Sequence, residues 1–166
     1  MTEMADNAGF CQPLFYPAFY PMPRPITSIA CPCGGSAFAA CCGRYLSGTA
    51  IAPTAESLMR SRYSAYTLRD EAYLRATWHP STLPAGPLVD PDTTLKWLGL
   101  EVESALRLRQ RKANLPETPD SDTVEFVARY KIAGRAHRLH ELSRFVREHN
   151  GDGAARWFYL DGSFPA

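Results

Sequence analysis

Four cysteines fall within "CPCGGSAFAACC", residues 31–42, in the pattern C-x-C-x7-C-C: Cys31, Cys33, Cys41 and Cys42. Thiolates are soft ligands, and four of them suit a closed tetrahedral zinc site with Zn–S near ~2.3 Å. Pro32 stiffens the turn between the first pair, and Gly34 and Gly35 can supply unusual backbone angles around an ion. Residues 36–40 then bring the second pair back, with an irregular turn so that adjacent Cys41 and Cys42 point different ways. Other chemistries fit less well. A structural disulfide leaves two thiols unused and does not suit a reducing compartment. A thioredoxin-type centre needs C-x-x-C at a helix start after a strand, and iron–sulfur spacings differ. With four soft ligands and no open position, the zinc would be one structural ion rather than a catalytic one. Cys11, far upstream, is a bystander.

A second group of residues could serve a cavity. In "TWHP", His79 follows Trp78 at a helix end, and its reference pKa near ~6.5 suits a general base. The plainer reading is preferred: Trp78 anchors the helix in the core while His79 caps its last carbonyls, because spacing places no companion acid. Arg60, Arg62, Glu125, Arg129, Glu141 and Arg144 could meet as ion pairs lining a cavity, with a structural network as the preferred role. Positions 125 and 129 share one strand face, as do 141 and 143. A basic stripe, Arg107, Arg109 and Arg111 with Lys112, could touch RNA, but Glu101 and Glu103 share its face, so a solvated strand is expected.

The elements that must position these groups follow from periodicity. Residues 1–30 interleave five prolines with Phe and Tyr, which predicts an extended, disordered tail; Met22 is a candidate alternative start. Thr54 is placed to cap a helix carrying Leu58, Met59, Arg62, Tyr63 and Tyr66 at helical spacing. A second helix spans about 70–78 and stops before Pro80. A breaker-rich loop follows, with a helical turn near 93–97. From Leu98 the period becomes two: Leu98, Leu100, Val102, Leu106 and Leu108 form one strand face. Val124, Phe126, Ala128, Tyr130 and Ile132 form another, Gly134 turns the chain, and two further runs, "AHRLHELSRFVREH" and "WFYLDG", complete an antiparallel meander of about four strands. Helices first and strands afterwards make an α+β domain.

Composition bounds the function classes. The chain has 166 residues, 45% hydrophobic and 21% charged, so it can bury a core without metal or disulfides. A net charge of +1 gives no global attraction to nucleic acid or an anionic membrane. No apolar run is long enough to span a bilayer, and acidic residues with prolines at the N-terminus argue against a secretory signal, so a cytoplasmic location is the expectation.

The cysteine segment resembles the SEC-C motif, a small zinc-binding element found at the C-terminus of the SecA translocation ATPase and in other bacterial proteins. The continuation "LMRSRYSAY", "YLRATWHP", "VEFVARY", "ELSRF" and "WFYLDG" resembles the YchJ-type family of uncharacterised bacterial proteins, which joins such a motif to a nuclear transport factor 2-like domain. The resemblance covers about residues 31–162. It implies a cone of helices folded over a bent antiparallel sheet, with zinc ligands at Cys31, Cys33, Cys41 and Cys42. It divides the chain into a tail (1–30), a SEC-C-like motif (31–48) and the nuclear transport factor 2-like domain (49–163). One departure stands out: the Cys33–Cys41 spacer is one residue shorter than the usual SEC-C spacing.

The leading expectation is a zinc-containing binding or adaptor protein rather than an enzyme. Its partner would be another protein, around ribosomes, translocation or quality control. The alternative is an enzyme or small-ligand binder using the cone interior through Trp78, His79, Arg62, Glu125, Arg129 and Glu141. RNA association through the basic stripe is a third reading.

Overall fold

The computed structural model describes residues 29–89, 94–103, 120–149 and 153–165. The tail with Cys11, the later part of the first expected strand and the basic stripe lie outside the described residues.

The cysteine segment folds as a knuckle. Ala30 pairs with Ala37 in a β-bridge, a 3-10 turn spans Phe38–Ala40, and helix α1 spans Gly43–Leu46. Helix α2 (Ala55–Leu68) starts where Thr54 Oγ1 accepts the Ser57 N–H at 3.1 Å, the N-cap its sequence foretells. It ends at Arg69, whose φ of 60° is left-handed. Asp70 caps α3 (Glu71–Ala76) by accepting the Tyr73 N–H at 3.0 Å. This helix stops two residues short of expectation because the chain is recruited by the sheet. Tyr159 N–H donates to Thr77 O at 2.9 Å and His79 N–H to Tyr159 O at 2.8 Å.

Four strands form an antiparallel meander in the order β1 (Lys96–Val102), β2 (Ser121–Ile132), β3 (Arg135–His149), β4 (Ala155–Ser163). In the helical turn expected near 93–97, the described residues 94–97 are not helical. Lys96 and Trp97 pair instead with Lys131 and Tyr130, and the Trp97 ring packs against Tyr63, Tyr66 and Tyr130. Strand pairing plus aromatic burial outweighs one isolated helical turn. The β2–β3 hairpin turns on Ala133 and Gly134, both at positive φ, as a two-residue hairpin connection requires. Irregular register between Trp97 and Gly99, and between Arg144 and Phe145, interrupts the ladders, and such bulges bend a sheet.

One buried face of α2, with Leu58, Met59 and Tyr63, joins Val124, Phe126, Ala128 and Phe145 of the sheet in a single core cluster. Cys31, Cys33 and Cys42 belong to that same cluster, so the knuckle is built onto the domain rather than hung from it.

Candidate metal centre and cavity

The knuckle is shaped to gather sulfur. Gly34 N–H donates to Cys31 O at 3.0 Å, Cys31 N–H to Ser36 O at 3.2 Å, and Cys41 N–H to Ala37 O at 2.9 Å. Gly34 has φ 79°, a conformation that L side chains rarely adopt. At Gly35 a Cβ would stand 2.8 Å from Cys41 Sγ and 3.4 Å from Cys33 Sγ, so only glycine leaves the sulfurs room. The four Sγ atoms all lie within 4.8 Å of one another. Cys33 Sγ is 3.4 Å from Cys31 Sγ and 3.6 Å from Cys41 Sγ, and Cys41 Sγ is 3.9 Å from Cys42 Sγ. The short spacer therefore still brings all four cysteines to one point. No pair among them is a disulfide.

Electrostatics at the cluster are those of crowded thiols. Hydrogen bonding from Cys42, with help from the Gly35 N–H, pulls Cys33 down to about 4. The same Cys33–Cys42 bond, then burial, pushes Cys42 far up, and burial raises Cys41. Four sulfurs so close can share little negative charge by themselves; a cation among them would hold all four as thiolates. Cys31, Cys33 and Cys42 are buried and Cys41 is half-buried. Donor type, number and convergence all fit a metal ion.

The second feature is a cavity of about 250 Å³ between α2 and the sheet. Three of the residues singled out from sequence, Arg62, Trp78 and Glu141, line it, and the other three do not. The reason is cross-strand register. Phe126 stands opposite Glu141 and Ala128 opposite Leu139, so even positions of β2 share the cavity face with odd positions of β3. Glu125 and Arg129 consequently face the other side. There Glu125 pairs with His140 at 2.7 Å and Arg129 with Glu101 at 2.9 Å. His79 lies outside the cavity: its ring contacts Ser81 Oγ at 2.6 Å and Glu148 at 3.2 Å rather than helix carbonyls. Arg60 pairs with Glu56 along α2, and Arg144 pairs with Asp161.

Arg62 is deeply buried. Its Nη1 donates to Leu74 O and Thr77 Oγ1, both at 2.8 Å, and its guanidinium lies over the rings of Tyr159 (4.6 Å) and Trp78 (5.0 Å). Burial pulls its pKa down while neighbouring phenols and Glu141 oppose this. Glu141 Oε1 accepts from Ser143 Oγ at 2.6 Å and from the Tyr159 hydroxyl at 3.0 Å. Burial, reinforced by Glu141, pushes the Tyr159 phenol up. Tyr66, Trp97 and Tyr159 also line the cavity, beyond the site residues the sequence suggests. Their only sequence signal is aromatic spacing, which also describes an ordinary core.

No helix among the described residues is long and apolar enough to cross a membrane. Residues 54–162 match the family model described as "YchJ, middle NTF2-like domain". A UPF0225 protein of Ralstonia nicotianae is 51% identical over 148 residues, covering 85% of this chain and 95% of that one. One from Cupriavidus metallidurans is 55% identical over 133 residues, covering 80% and 86%. Among solved structures, a SEC-C motif containing protein from Rhodopseudomonas palustris is similar at 30% identity and TM-score 0.61, covering 83% of this chain and all of that one. A second, from Psychrobacter arcticus, is 31% identical with TM-score 0.60, covering 84% and 85%. Sheet, helices, cysteine knuckle and these likenesses agree, and the chain belongs to the YchJ family, carrying its NTF2-like domain beside a SEC-C-like cysteine cluster.

Proposed function

We propose that this is a zinc protein whose knuckle serves as a protein-interaction module, with Cys31, Cys33, Cys41 and Cys42 as ligands of one structural ion. The observation that carries the reading is the spacing of the sulfurs. Tetrahedral zinc with Zn–S near 2.3 Å has an S–S edge of about 3.8 Å, and the neighbouring sulfurs stand 3.4, 3.6 and 3.9 Å apart. Four thiolates close the coordination sphere, so the ion supplies rigidity rather than a bound nucleophile. Between Cys33 and Cys41 the exposed residues are all small: Gly34, Gly35, Ser36, Ala39 and Ala40. A partner's backbone can approach such a surface closely.

The test pairs metal content with capture. The wild-type chain should hold one zinc per molecule and retain a specific partner, which is then purified and titrated against it. A variant with all four cysteines changed to serine should lose both. An Ala39→Glu/Ala40→Glu variant should keep its zinc and lose the partner. Equal partner affinity in the metal-free variant would overturn the interaction reading, and absence of stoichiometric zinc would overturn the metal assignment.

A further inference from the structure

The cavity under α2 holds two ionisable side chains that the knuckle does not use. Arg62 is 5% exposed and Glu141 9%, and both line the same space. They feel each other electrostatically, yet no ion pair joins them among the described residues. Each is gripped: Arg62 by Leu74 O, Thr77 and the Tyr66 hydroxyl, Glu141 by Ser143 and Tyr159. The grip fixes orientation but uses only part of each group's capacity, since a guanidinium has five N–H donors and a carboxylate about four acceptor sites. The remaining donors and acceptors are placed to meet the polar edge of a ligand inside the cavity.

Much of the rest of the wall is aromatic, with Tyr66, Trp78, Trp97 and Phe126 beside Met59 and Leu139. Its volume of about 250 Å³ lies just below the roughly 300–1,000 Å³ of drug-sized ligand pockets. One or two fused rings would fill it. Charge narrows the choice further. A simple anion that suits Arg62 is repelled by Glu141, and a simple cation meets the reverse. A hydrocarbon satisfies the walls but makes no use of the remaining hydrogen-bonding capacity of Arg62 and Glu141.

We propose that this cavity binds a small, neutral, planar heteroaromatic compound with a cyclic-amide edge, its carbonyl accepting from Arg62 and its adjacent N–H donating to Glu141. Aromatic faces of the ligand stack on the walls, and the paired donor and acceptor fix its orientation.

The experiment uses the full chain with its metal and three probes: quinolin-2(1H)-one, its N-methyl derivative and naphthalene. Calorimetry gives affinity, and the indole N–H resonances of Trp78 and Trp97 report whether binding occurs in the cavity. The lactam should bind one to one and shift both indoles. It should bind at least about tenfold more tightly than either analogue, because a site built to hydrogen-bond rejects a ligand lacking the donor. Glu141→Gln presents an N–H where the ligand's own N–H must donate. It should weaken the lactam by about tenfold while changing the N-methyl compound by less than about twofold. Near-UV circular dichroism checks that this variant is folded; if it is not, the three-probe comparison on the wild type decides alone. Equal affinity for all three probes, or no response of Trp78 and Trp97 to the lactam at concentrations on the order of 5 mM, would overturn the proposal.

Discussion

Ser64 Oγ, fully buried in the middle of α2, lies 3.7 Å from Cys31 Sγ. The helix that roofs the cavity therefore also forms one wall of the cysteine cluster. Arg62, two residues earlier, faces the cavity. One helix thus serves both sites.

Metal removal should accordingly soften the whole domain, not the knuckle alone. We expect chelation to lower Tm by about 4–8 °C, the shift that a loss of roughly 2 kcal/mol produces in a chain of this size. Differential scanning fluorimetry with and without chelator, followed by zinc add-back, measures it. An unchanged transition would mean that the knuckle is energetically separate from the core cluster that contains Cys31, Cys33 and Cys42.

Gly35→Ala places a methyl 2.8 Å from Cys41 Sγ. Overpacking of this kind typically costs about 1–3 kcal/mol, and here it acts on the sulfurs directly. Competition against a chromogenic zinc chelator should show roughly ten- to hundredfold weaker retention, since each 1.4 kcal/mol is a factor of ten. Gly48→Ala is the control: its added Cβ meets no atom, although its φ of 74° carries a backbone strain of its own. It should lower stability modestly without altering metal retention.

Arg62→Met removes a buried guanidinium, leaving Leu74 O with only a long 3.4 Å bond from the Thr77 hydroxyl and that hydroxyl oxygen without the arginine donor. An orphaned acceptor costs about 1–3 kcal/mol, so urea unfolding should report a loss of roughly 2–4 kcal/mol at nearly constant m-value. Arg62→Lys should recover only part of this, because an ammonium cannot reproduce the planar fork stacked on Trp78 and Tyr159. Equal stability of all three proteins would show that the arginine is not structural.

Glu71 gives a pH signature. The Leu88 N–H and Arg75 hold its carboxyl below the usual carboxylate range. A folded value below the unfolded one means the contribution is present above the unfolded value, about 4.3 for Glu, and lost as pH falls through the folded value. The Tm gap between wild type and Glu71→Gln should therefore be open at pH 7 and close in acid. A gap that widens on acidification would contradict the assignment.

The sequence exposed what is local. Thr54 announces a helix start because an N-cap is settled within three or four residues. The alternation in β2 and β3 and the turn at Gly134 foretell the central hairpin. The four cysteines identify themselves by type and spacing. What sequence could not carry is relation across elements. Nothing in one dimension says that Phe126 stands opposite Glu141, yet that register separates Glu125 and Arg129 from Arg62 and Glu141. Likewise, His79 was grouped with Trp78 because they are neighbours. The β-bridge from Trp78 to Tyr159 sends their rings to different places: Trp78 to the cavity wall, His79 to Ser81 and Glu148. Trp97 appeared to belong to a helical turn because its strand partner, Tyr130, is 33 positions away.

The bridge to β4 has a kinetic side. A meander pairs each strand with its sequence neighbour, so most of the sheet closes through short loops and should assemble quickly. Tyr159 with Thr77 and His79, and Trp157 Nε1 with Pro53 O 104 residues away, are among the contacts that span long stretches of chain. Closing such long loops carries an entropic penalty that the local hairpins avoid, so these contacts should form after the hairpins do. Tyr159 is also the residue that holds Glu141 and covers Arg62. Because Tyr159 sits in the cavity wall, access to the interior should follow the breathing of the C-terminal strand.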